Sequence, residues 1–206
     1  MEKEVRYMTA EVRSDGEDAE KNVSGVGILY DEWAELWPGY KERILRGAVK
    51  HDKVVKSFVN HDPNRVLSTT KSKPALELND TDKGLEFISP IPPTSYGKDL
   101  EVNLERGNVK GSSFAFSVPD DGSKRWEEDG VYYREIRKLT LYEIGPVTDP
   151  AYIKTSANLK TAEDVYKEFR AADSQEAEAA KEEQRKVSQA AEQRERELKL
   201  LEAEVI

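Results

Sequence analysis

The sequence predicts a mainly β domain of mixed α+β class, followed by a long helical C-terminal tail. Between residues 20 and 160, short apolar runs are separated by Gly, Pro and Asp at the spacing typical of a barrel or sandwich. All nine prolines and all twelve glycines precede residue 160. After Phe169 there is no Gly, Pro or aromatic residue, so this part can form an exposed helix but no core of its own.

The first elements are strands interrupted by one helix. A strand is predicted for VSGVGILYDE, and a helix for GYKERILRGAVKHD, which has helical composition and ends in turn signals. The next strand is KVVKSFVNHD, which runs into the Asp62-Pro63 turn. Three more strands follow in RVLSTTKS, ALELND and GLEFISPI, separated by Lys-Pro and Asp-Lys-Gly turns.

A second helix is predicted for YGKDLEVNLERG, because Gly107 is a typical helix-ending residue. The last strands are VKGSSFAFSV, GVYYREIRKLTLYEI and GPVTDPAY. These elements divide the chain into a flexible N-terminal segment (1–19), a β domain (20–160) and a helical tail (161–206).

The tail carries small and apolar residues at heptad spacing. They are Ala177, Ala180, Gln184, Val187, Ala191, Arg194, Leu198, Leu201 and Val205. Few of them are Leu or Ile, so a coiled coil formed by this face would be weak. A solvated helix with incidental periodicity is the alternative.

The composition excludes several classes of function. A formal net charge of −9 on 206 residues argues against general affinity for nucleic acid or acidic membranes, since phosphate contacts need clustered Lys and Arg. The lack of Cys excludes disulfides, thiolate metal sites and a cysteine nucleophile. The N-terminus has no apolar stretch of a signal peptide, and no apolar run approaches the roughly 20 residues of a membrane span. We expect a soluble protein made in the cytosol.

The stretch VKGSSFAFSV places a serine on a face of small residues. Side chains of a strand alternate, so Phe114 and Phe116 share one face with Ser112, and Ser113 shares the other with Ala115. A substrate chain could approach Ser113 closely, which makes it the better candidate nucleophile. The alternative is that these small residues pack under another element.

The chain has only two histidines, His51 and His61. His61 ends an apolar run directly before Asp-Pro, where a side chain is well placed to face a cleft. We expect His51 to be a surface residue. A metal site built from the two His-Asp pairs is disfavoured, because adjacent side chains of a strand point in opposite directions.

Glu143 falls in the alternating pattern of Leu139, Leu141 and Val147, and a carboxylate among leucines needs a partner. His61 is one candidate partner. Arg134, Arg137 and Lys138 are others, and a register shift at Gly145 would instead expose the carboxylate.

Together, His61, Ser113 and Glu143 are the residue types of a hydrolytic triad. A serine hydroxyl needs a neutral imidazole to take its proton, and a buried carboxylate holds that imidazole in one tautomer. Backbone N–H groups near Gly111–Phe114 or an arginine would stabilise the oxyanion. Such triads occur in different chain orders on unrelated folds, so the order here does not exclude one.

Seven sequence blocks between residues 20 and 160 resemble the prohead maturation proteases of tailed bacteriophages. They are SGVGILYDE, YKERILRGAV, FVNHDPNRVLS, LELNDTDKGLEF, PPTSYGKDL, ERGNVKGSSFAFSV and LTLYEIGPVTDPAY. The family histidine matches His61, the serine before the Phe-x-Phe pattern matches Ser113, and the family glutamate matches Glu143. After Glu143 the sequence departs from the family pattern, because Gly145 replaces a serine and Pro146 is inserted.

The resemblance implies a fold similar to that of herpesvirus assemblins: a closed or nearly closed β-barrel with surrounding helices. It implies a serine endopeptidase that needs no cofactor or metal. It also implies action inside assembling proheads in the bacterial host cytoplasm. The substrates would be the major capsid protein or a scaffold protein, and the chain itself, for which we expect a cut near residues 155–175.

Other hypotheses remain at this stage. The chain could be a catalytically silent capsid assembly or scaffolding protein that associates through its tail, or a host-encoded regulatory protease. We expect that it could form homo-oligomers, and we expect no direct contact with nucleic acid or membrane.

Overall fold

The fold is described from a computed structural model, which covers residues 2–8, 13–15, 21–148 and 159–203. Most of the TDPAY block and part of the predicted self-cleavage region, residues 155–175, lie outside these ranges. The chain divides into two compact units, Met1–Asp164 and Val165–Ile206. The strands of the described residues all belong to the first unit.

In the described residues, the largest sheet has seven strands. They are β1 (Lys3–Met8), β6 (Val49–Lys50), β7 (Lys56–Phe58), β8 (Val66–Thr69), β11 (Gly111–Ser117), β14 (Leu139–Val147) and β15 (Leu159–Lys160). The order is β15-β1-β11-β14-β7-β8, and β6 also pairs with β14. β11 and β14 therefore lie side by side near the middle of the sheet.

The other described strands of the first unit form two four-stranded sheets. One has the order β2-β3-β10-β9, from Arg13–Asp15, Asn22–Leu29, Gly84–Pro90 and Glu77–Asp80. The other has the order β12-β13-β5-β4, from Ser123–Glu128, Val131–Ile136, Tyr40–Ile44 and Ala34–Trp37. One apolar core is shared by all three sheets; it includes Ile28, Ile44, Phe87, Phe114, Phe116, Ile136, Leu141 and Ile144.

The prediction of a closed β-barrel with surrounding helices is wrong. The strands are distributed over three separate sheets, and the seven-stranded sheet ends at β15 on one side and β8 on the other. Within the described part of the first unit there is one complete helix, α1 (Ser95–Glu105). The short strands and turns in the sequence suit a layered β fold as well as a barrel, so their spacing alone did not separate the two.

The helix expected in GYKERILRGAVKHD is replaced by β5 and β6. Its β5 residues alternate between buried and half-buried positions, with Tyr40, Glu42 and Ile44 facing inward. Glu42 can occupy a core position because two arginines neutralise it, as described below. Because this inward-facing position holds a glutamate and not an apolar residue, the segment lacks the apolar–polar alternation of a strand and was predicted to be a helix.

The N-terminal segment also differs from the expectation. Residues 3–8, predicted to be flexible, form β1, which pairs antiparallel with β11 and parallel with β15. Three of its six residues are charged, and two of them, Glu4 and Arg6, are buried. Because of these charges, the segment was predicted to be a flexible tail and not a strand of the seven-stranded sheet.

The two helices begin and end at recognisable signals. α1 follows an N-cap at Thr94, whose side chain accepts a hydrogen bond from the backbone N–H of Gly97. It ends before Gly107, which has φ of +68°, as the sequence predicted. The second helix, α2, spans Ala162–Ala203 and starts at a reciprocal cap between Thr161 and Asp164. No contact among the described residues tests whether α2 pairs with a partner helix, so a coiled coil remains a prediction.

Candidate active site

His61 is presented by a strained turn that follows β7. Asn60 and His61 both adopt left-handed backbone conformations, with φ of 54° and 57°. Such conformations are unfavourable for most residues, although Asn tolerates them well. The turn is closed by hydrogen bonds from the N–H of Val59 to the carbonyl of Arg65 (3.2 Å) and from the N–H of Asp62 to that of Val59 (3.0 Å). The strained turn therefore fixes the direction of the imidazole.

Asn60 attaches this turn to the end of β14. Its backbone N–H donates to the carbonyl of Pro146 (3.1 Å), and its side-chain oxygen accepts from the N–H of Thr148 (2.9 Å). β7 and β14 run parallel, with Lys56 opposite Glu143. The histidine turn is thus held to the same strand that carries the glutamate.

Ser113 lies on the face that strand alternation predicts. The hydroxyl of Ser112 donates to the carbonyl of Val26 (3.0 Å), whereas the hydroxyl of Ser113 reaches His61 and the carbonyl of Arg6. The two serines therefore point to opposite sides of β11. Ser113 itself is fully buried, with 0% of its surface exposed.

Glu143 reaches the Ser113 face because β14 contains a β-bulge. Ala115 pairs with Glu143 but the next residue, Phe116, pairs with Leu141, so Tyr142 is an extra residue in β14. The bulge leaves Leu141 on the core side and turns Glu143 to the other side. The expectation that Glu143 shares a face with Leu139 and Leu141 is therefore wrong.

The three candidate residues meet around the imidazole. His61 Nδ1 lies 2.5 Å from Glu143 Oε1, and His61 Nε2 lies 2.5 Å from Ser113 Oγ. The side chain of His61 is 5% exposed and that of Glu143 is 15% exposed, so little water competes for these bonds. Each ring nitrogen has one partner, the arrangement that fixes the tautomer of a neutral imidazole.

The serine hydroxyl has two acceptors within reach and only one proton. Ser113 Oγ lies 2.9 Å from the carbonyl oxygen of Arg6, in addition to its contact with His61. When His61 is neutral and donates from Nδ1 to Glu143, its Nε2 is free to accept the serine proton. When His61 carries both protons, the hydroxyl donates to Arg6 instead. The carbonyl of Arg6 is therefore a second acceptor for the hydroxyl.

Gly145 permits a close approach between β7 and β14. A Cβ atom at this position would lie 2.4 Å from the carbonyl oxygen of Phe58, closer than any real contact. Gly145 is also the register partner of Ser113. The glycine therefore allows β7, which leads to His61, to lie directly against β14.

Tyr7 contacts the imidazole from β1. Its ring stands edge-on to that of His61, with centroids 5.9 Å apart and planes at 85°. It is also the register partner of Ser113 across the β1–β11 ladder. Burial and the nearby charge of Glu143 raise the pKa of Tyr7 to about 12, so its phenol stays neutral at physiological pH.

A second polar cluster, the ionic cluster, lies on the opposite face of β1. Glu4 and Arg6 of β1, Glu42 of β5 and Arg134 of β13 are all buried, at 7%, 4%, 4% and 1% exposure. Arg6 bonds Glu42 through two nitrogens (2.7 and 2.9 Å), and Arg134 bonds both oxygens of Glu4 (2.6 and 2.8 Å). The hydroxyl of Tyr40 donates to Glu42 (2.8 Å). Two positive and two negative charges therefore cancel.

The two carboxyl groups of the ionic cluster stay ionised because of the neighbouring arginines. Burial alone would raise the pKa of Glu4, but Arg134 and Arg6 outweigh it and lower that pKa to about 2. The pKa of Glu42 is also lowered, because the same two arginines overcome its burial. Arg6 contributes its carbonyl oxygen to Ser113 and its guanidinium to this cluster, so the cluster fixes the strand beside the candidate nucleophile.

The described residues give no support for a metal site. They contain no group of three His, Cys, Asp or Glu side chains that could hold a metal ion. Asp62 bonds its own turn, through the N–H of Asn64 at 2.9 Å. His51 is exposed, as predicted, and its Nε2 lies 3.7 Å from Oδ2 of Asp80.

Sequence reasoning missed the residues that support the three candidates. Tyr7 and Arg6 lie in a segment expected to be flexible, and no signal in the sequence links them to Ser113. Asn60 could have been found, because Asn before a strand-end histidine is suited to a left-handed turn.

The family model for Peptidase_S78, described as caudovirus prohead serine protease, matches residues 8–169. No curated protein and no solved structure matches the chain. In the part of the chain that the structure describes, neither helix is apolar enough to cross a bilayer. The family match covers most of the chain, including all three candidate residues, so the chain belongs to the caudovirus prohead serine protease family.

Proposed function

We propose that this member of the prohead serine protease family is an active endopeptidase, with Ser113 as nucleophile, His61 as general base and then acid, and Glu143 as the residue that orients His61. The observation that carries this proposal is the position of one imidazole between a hydroxyl and a carboxylate, at 2.5 Å from each. Three distant segments of the chain converge to produce it.

The reaction follows from these contacts. His61 Nε2 takes the proton of Ser113 as Oγ attacks the carbonyl carbon of the scissile peptide. Glu143 accepts the Nδ1 hydrogen bond and stabilises the positive charge that develops on the ring. His61 then delivers the proton to the leaving amine, and a water molecule repeats the sequence to release the acyl group. Proton transfer of this kind contributes about 10²–10⁴ to the rate.

The substrates that we propose are capsid proteins or scaffold proteins within the assembling prohead, in the cytoplasm of the bacterial host. The family match supports this setting. We also propose that the chain cuts itself.

Co-expression with the candidate capsid protein tests the proposal. We expect the wild type to produce defined capsid fragments by mass spectrometry, and the Ser113→Ala and His61→Ala variants to produce none. Ser112→Ala and His51→Ala are the matched controls, because Ser112 points to the other face of β11 and His51 is exposed. Unchanged cleavage by Ser113→Ala would contradict the proposed nucleophile.

The same samples test self-cleavage. A mass difference between the wild-type chain and Ser113→Ala, beyond that of the substitution, would support it, and full-length chains in both samples would argue against it. If neither capsid protein nor chain is cut by the wild type, the silent assembly protein becomes the better hypothesis.

A further inference from the structure

Tyr7 lies next to all three candidate residues. Its ring meets that of His61 edge-to-face, with centroids 5.9 Å apart and planes at 85°. It is directly opposite Ser113 in the β1–β11 ladder, so the two side chains share one face of the sheet. Burial and the charge of Glu143 raise the pKa of Tyr7 to about 12, so its phenol lies within electrostatic reach of that carboxylate. One side chain from β1 therefore borders the whole proposed triad.

The imidazole of His61 retains one freedom that the backbone does not remove. The left-handed turn sets the direction in which the side chain leaves the backbone, but the ring can still rotate about its Cβ–Cγ bond, a torsion that varies broadly in histidine. The hydrogen bonds to Ser113 and Glu143, both at 2.5 Å, oppose that rotation. In the proposed reaction the first of them is lost, because Ser113 Oγ becomes bonded to the carbonyl carbon of the substrate. The ring then keeps one of its two partners.

The contact with Tyr7 does not depend on where the proton is. Both ring nitrogens of His61 are engaged by Ser113 and Glu143, so Tyr7 meets the imidazole through a ring-to-ring contact. Edge-to-face pairs at this separation are a preferred aromatic geometry. A ring that stands nearly perpendicular to the imidazole blocks its rotation toward that side, before and after proton transfer.

Tyr7 is itself held at a fixed position. β1 pairs with β11 over Glu4 to Met8, on both sides of Tyr7. The preceding residue, Arg6, is fixed on the opposite face through its bonds to Glu42 in the ionic cluster. The backbone that carries Tyr7 is therefore rigid, as a residue that limits the movement of another must be.

We propose that Tyr7 is a positioning residue, whose aromatic ring keeps the imidazole of His61 in line with Ser113 and Glu143 while the proton moves. The inference rests on the proposed endopeptidase function. It assigns the role to the ring and not to the hydroxyl. Phenylalanine should accordingly replace Tyr7 in this role, whereas an aliphatic side chain should not.

The experiment measures the rate at which a fluorophosphonate probe labels Ser113 in the full-length chain. In this reaction Oγ bonds to phosphorus, fluoride leaves, and His61 takes the hydroxyl proton. The rate is measured over a range of probe concentrations, which separates the limiting rate from the half-saturating concentration. Tyr7→Leu should lower the limiting rate by about 10-fold or more, since misplacing a catalytic group by about 1 Å can cost about 10²-fold. The half-saturating concentration should stay the same, and Tyr7→Phe should label almost as fast as wild type.

Tyr133→Leu is the matched control. Tyr133 is half-buried like Tyr7 and makes ring contacts with Trp33 and Trp126, but it lies in β13 of another sheet. It should lose stability without a change in the limiting rate. Thermal melting of each variant identifies one that does not fold. Tyr7→Ile, whose branched side chain suits a strand, decides the question if Tyr7→Leu does not fold.

The outcomes separate the role of Tyr7 from the function it rests on. Labelling that Ser113→Ala abolishes, at the same limiting rate in wild type and folded Tyr7→Leu, would overturn the positioning role and leave the protease intact. A Tyr7→Phe variant as slow as Tyr7→Leu would overturn the assignment to the ring. Absence of any labelling that depends on Ser113 in the wild type would overturn the proposed function, and the role of Tyr7 with it.

Discussion

β1 carries a polar cluster on each of its faces, and the two differ in how their hydrogen bonds are used. On one face, Tyr7 contacts a chain of three groups in which His61 separates Ser113 from Glu143. On the other, the ionic cluster pairs two carboxylates with two guanidiniums. The first contains a proton that can move between partners, and the second contains charges that are neutralised in place.

The two clusters are therefore suited to different roles: the cluster around His61 to proton transfer, and the ionic cluster to structural support. At neutral pH a histidine can take the proton of a serine hydroxyl while a carboxylate supports the ring, whereas arginine does not release a proton. The ionic cluster therefore has no evident part in proton transfer, but it anchors Arg6, whose carbonyl oxygen contacts Ser113. Substitutions on the two faces should accordingly affect different measurements: rate on one face and stability on the other.

The largest effect is expected for Glu143→Gln. The amide keeps the size of the side chain but favours the wrong tautomer of His61, a change that costs about 10⁴-fold in kcat in a comparable triad. Unfolding by urea should be almost unaltered. Glu127→Gln, at an exposed glutamate, is the control. A Glu143→Gln variant with near wild-type kcat would remove Glu143 from the orienting role.

Next in size is the effect of Arg134→Met on stability. It leaves Glu4 and Glu42 buried with only Arg6 to neutralise them, and breaking a buried pair in this way costs about 3–5 kcal/mol of unfolding free energy. Arg46→Met is the control, because both side chains of the Arg46–Asp82 ion pair are exposed, at 59% and 87%, and such ion pairs contribute about 0–1 kcal/mol. Equal urea midpoints for the two variants would contradict a stabilising role for the ionic cluster.

The ionic cluster should also make the free energy of unfolding depend on pH in the acidic range. The pKa of Glu4 is lowered to about 2 from an ordinary 4.5, so its stabilisation is complete above pH 4.5 and is lost as the pH falls toward 2. The loss over that window is about 3 kcal/mol, because a tenfold change in proton affinity corresponds to about 1.4 kcal/mol. We expect a Glu4→Gln variant to show a shallower decline of the urea midpoint between about pH 5 and pH 3. Parallel declines in wild type and variant would refute this assignment.

The smallest of these effects is expected for Gly145→Ala. The added Cβ would meet the carbonyl of Phe58 at 2.4 Å, so β7 must shift and carry His61 with it. Overpacking of this kind costs about 1–3 kcal/mol of stability. Unlike the ionic-cluster variants, this one should also lower kcat, because the contact between His61 and Ser113 lengthens. Unchanged stability and kcat would show that the close approach of β7 and β14 is not required.

The sequence predicted the three candidate residues but not the arrangement that unites them. The alternation of VKGSSFAFSV placed Ser113 correctly, because side-chain direction in a regular strand depends only on position. The same rule failed for Glu143, since a bulge at Tyr142 reverses the direction of every later side chain. A bulge depends on the partner strand, which a single segment does not specify.

The sequence predicted the fold only in part. The β character of the domain and the position of α1 followed from turn residues and helix-ending glycine. The segments 3–8 and 40–44 were misassigned because their buried charges are paired only in three dimensions. Charged residues at core positions are uncommon, so a prediction from composition assigns such residues to the surface.

The proposed mechanism requires that His61 activates the hydroxyl of Ser113. Reaction with a fluorophosphonate probe tests this without a known substrate, because such a probe bonds to an activated serine. We predict one covalent adduct on the wild type, located at Ser113 by peptide mass spectrometry, and almost none on the His61→Ala variant, which still contains the serine. Equal labelling of the two proteins at Ser113, or no labelling of the folded wild type, would contradict the mechanism.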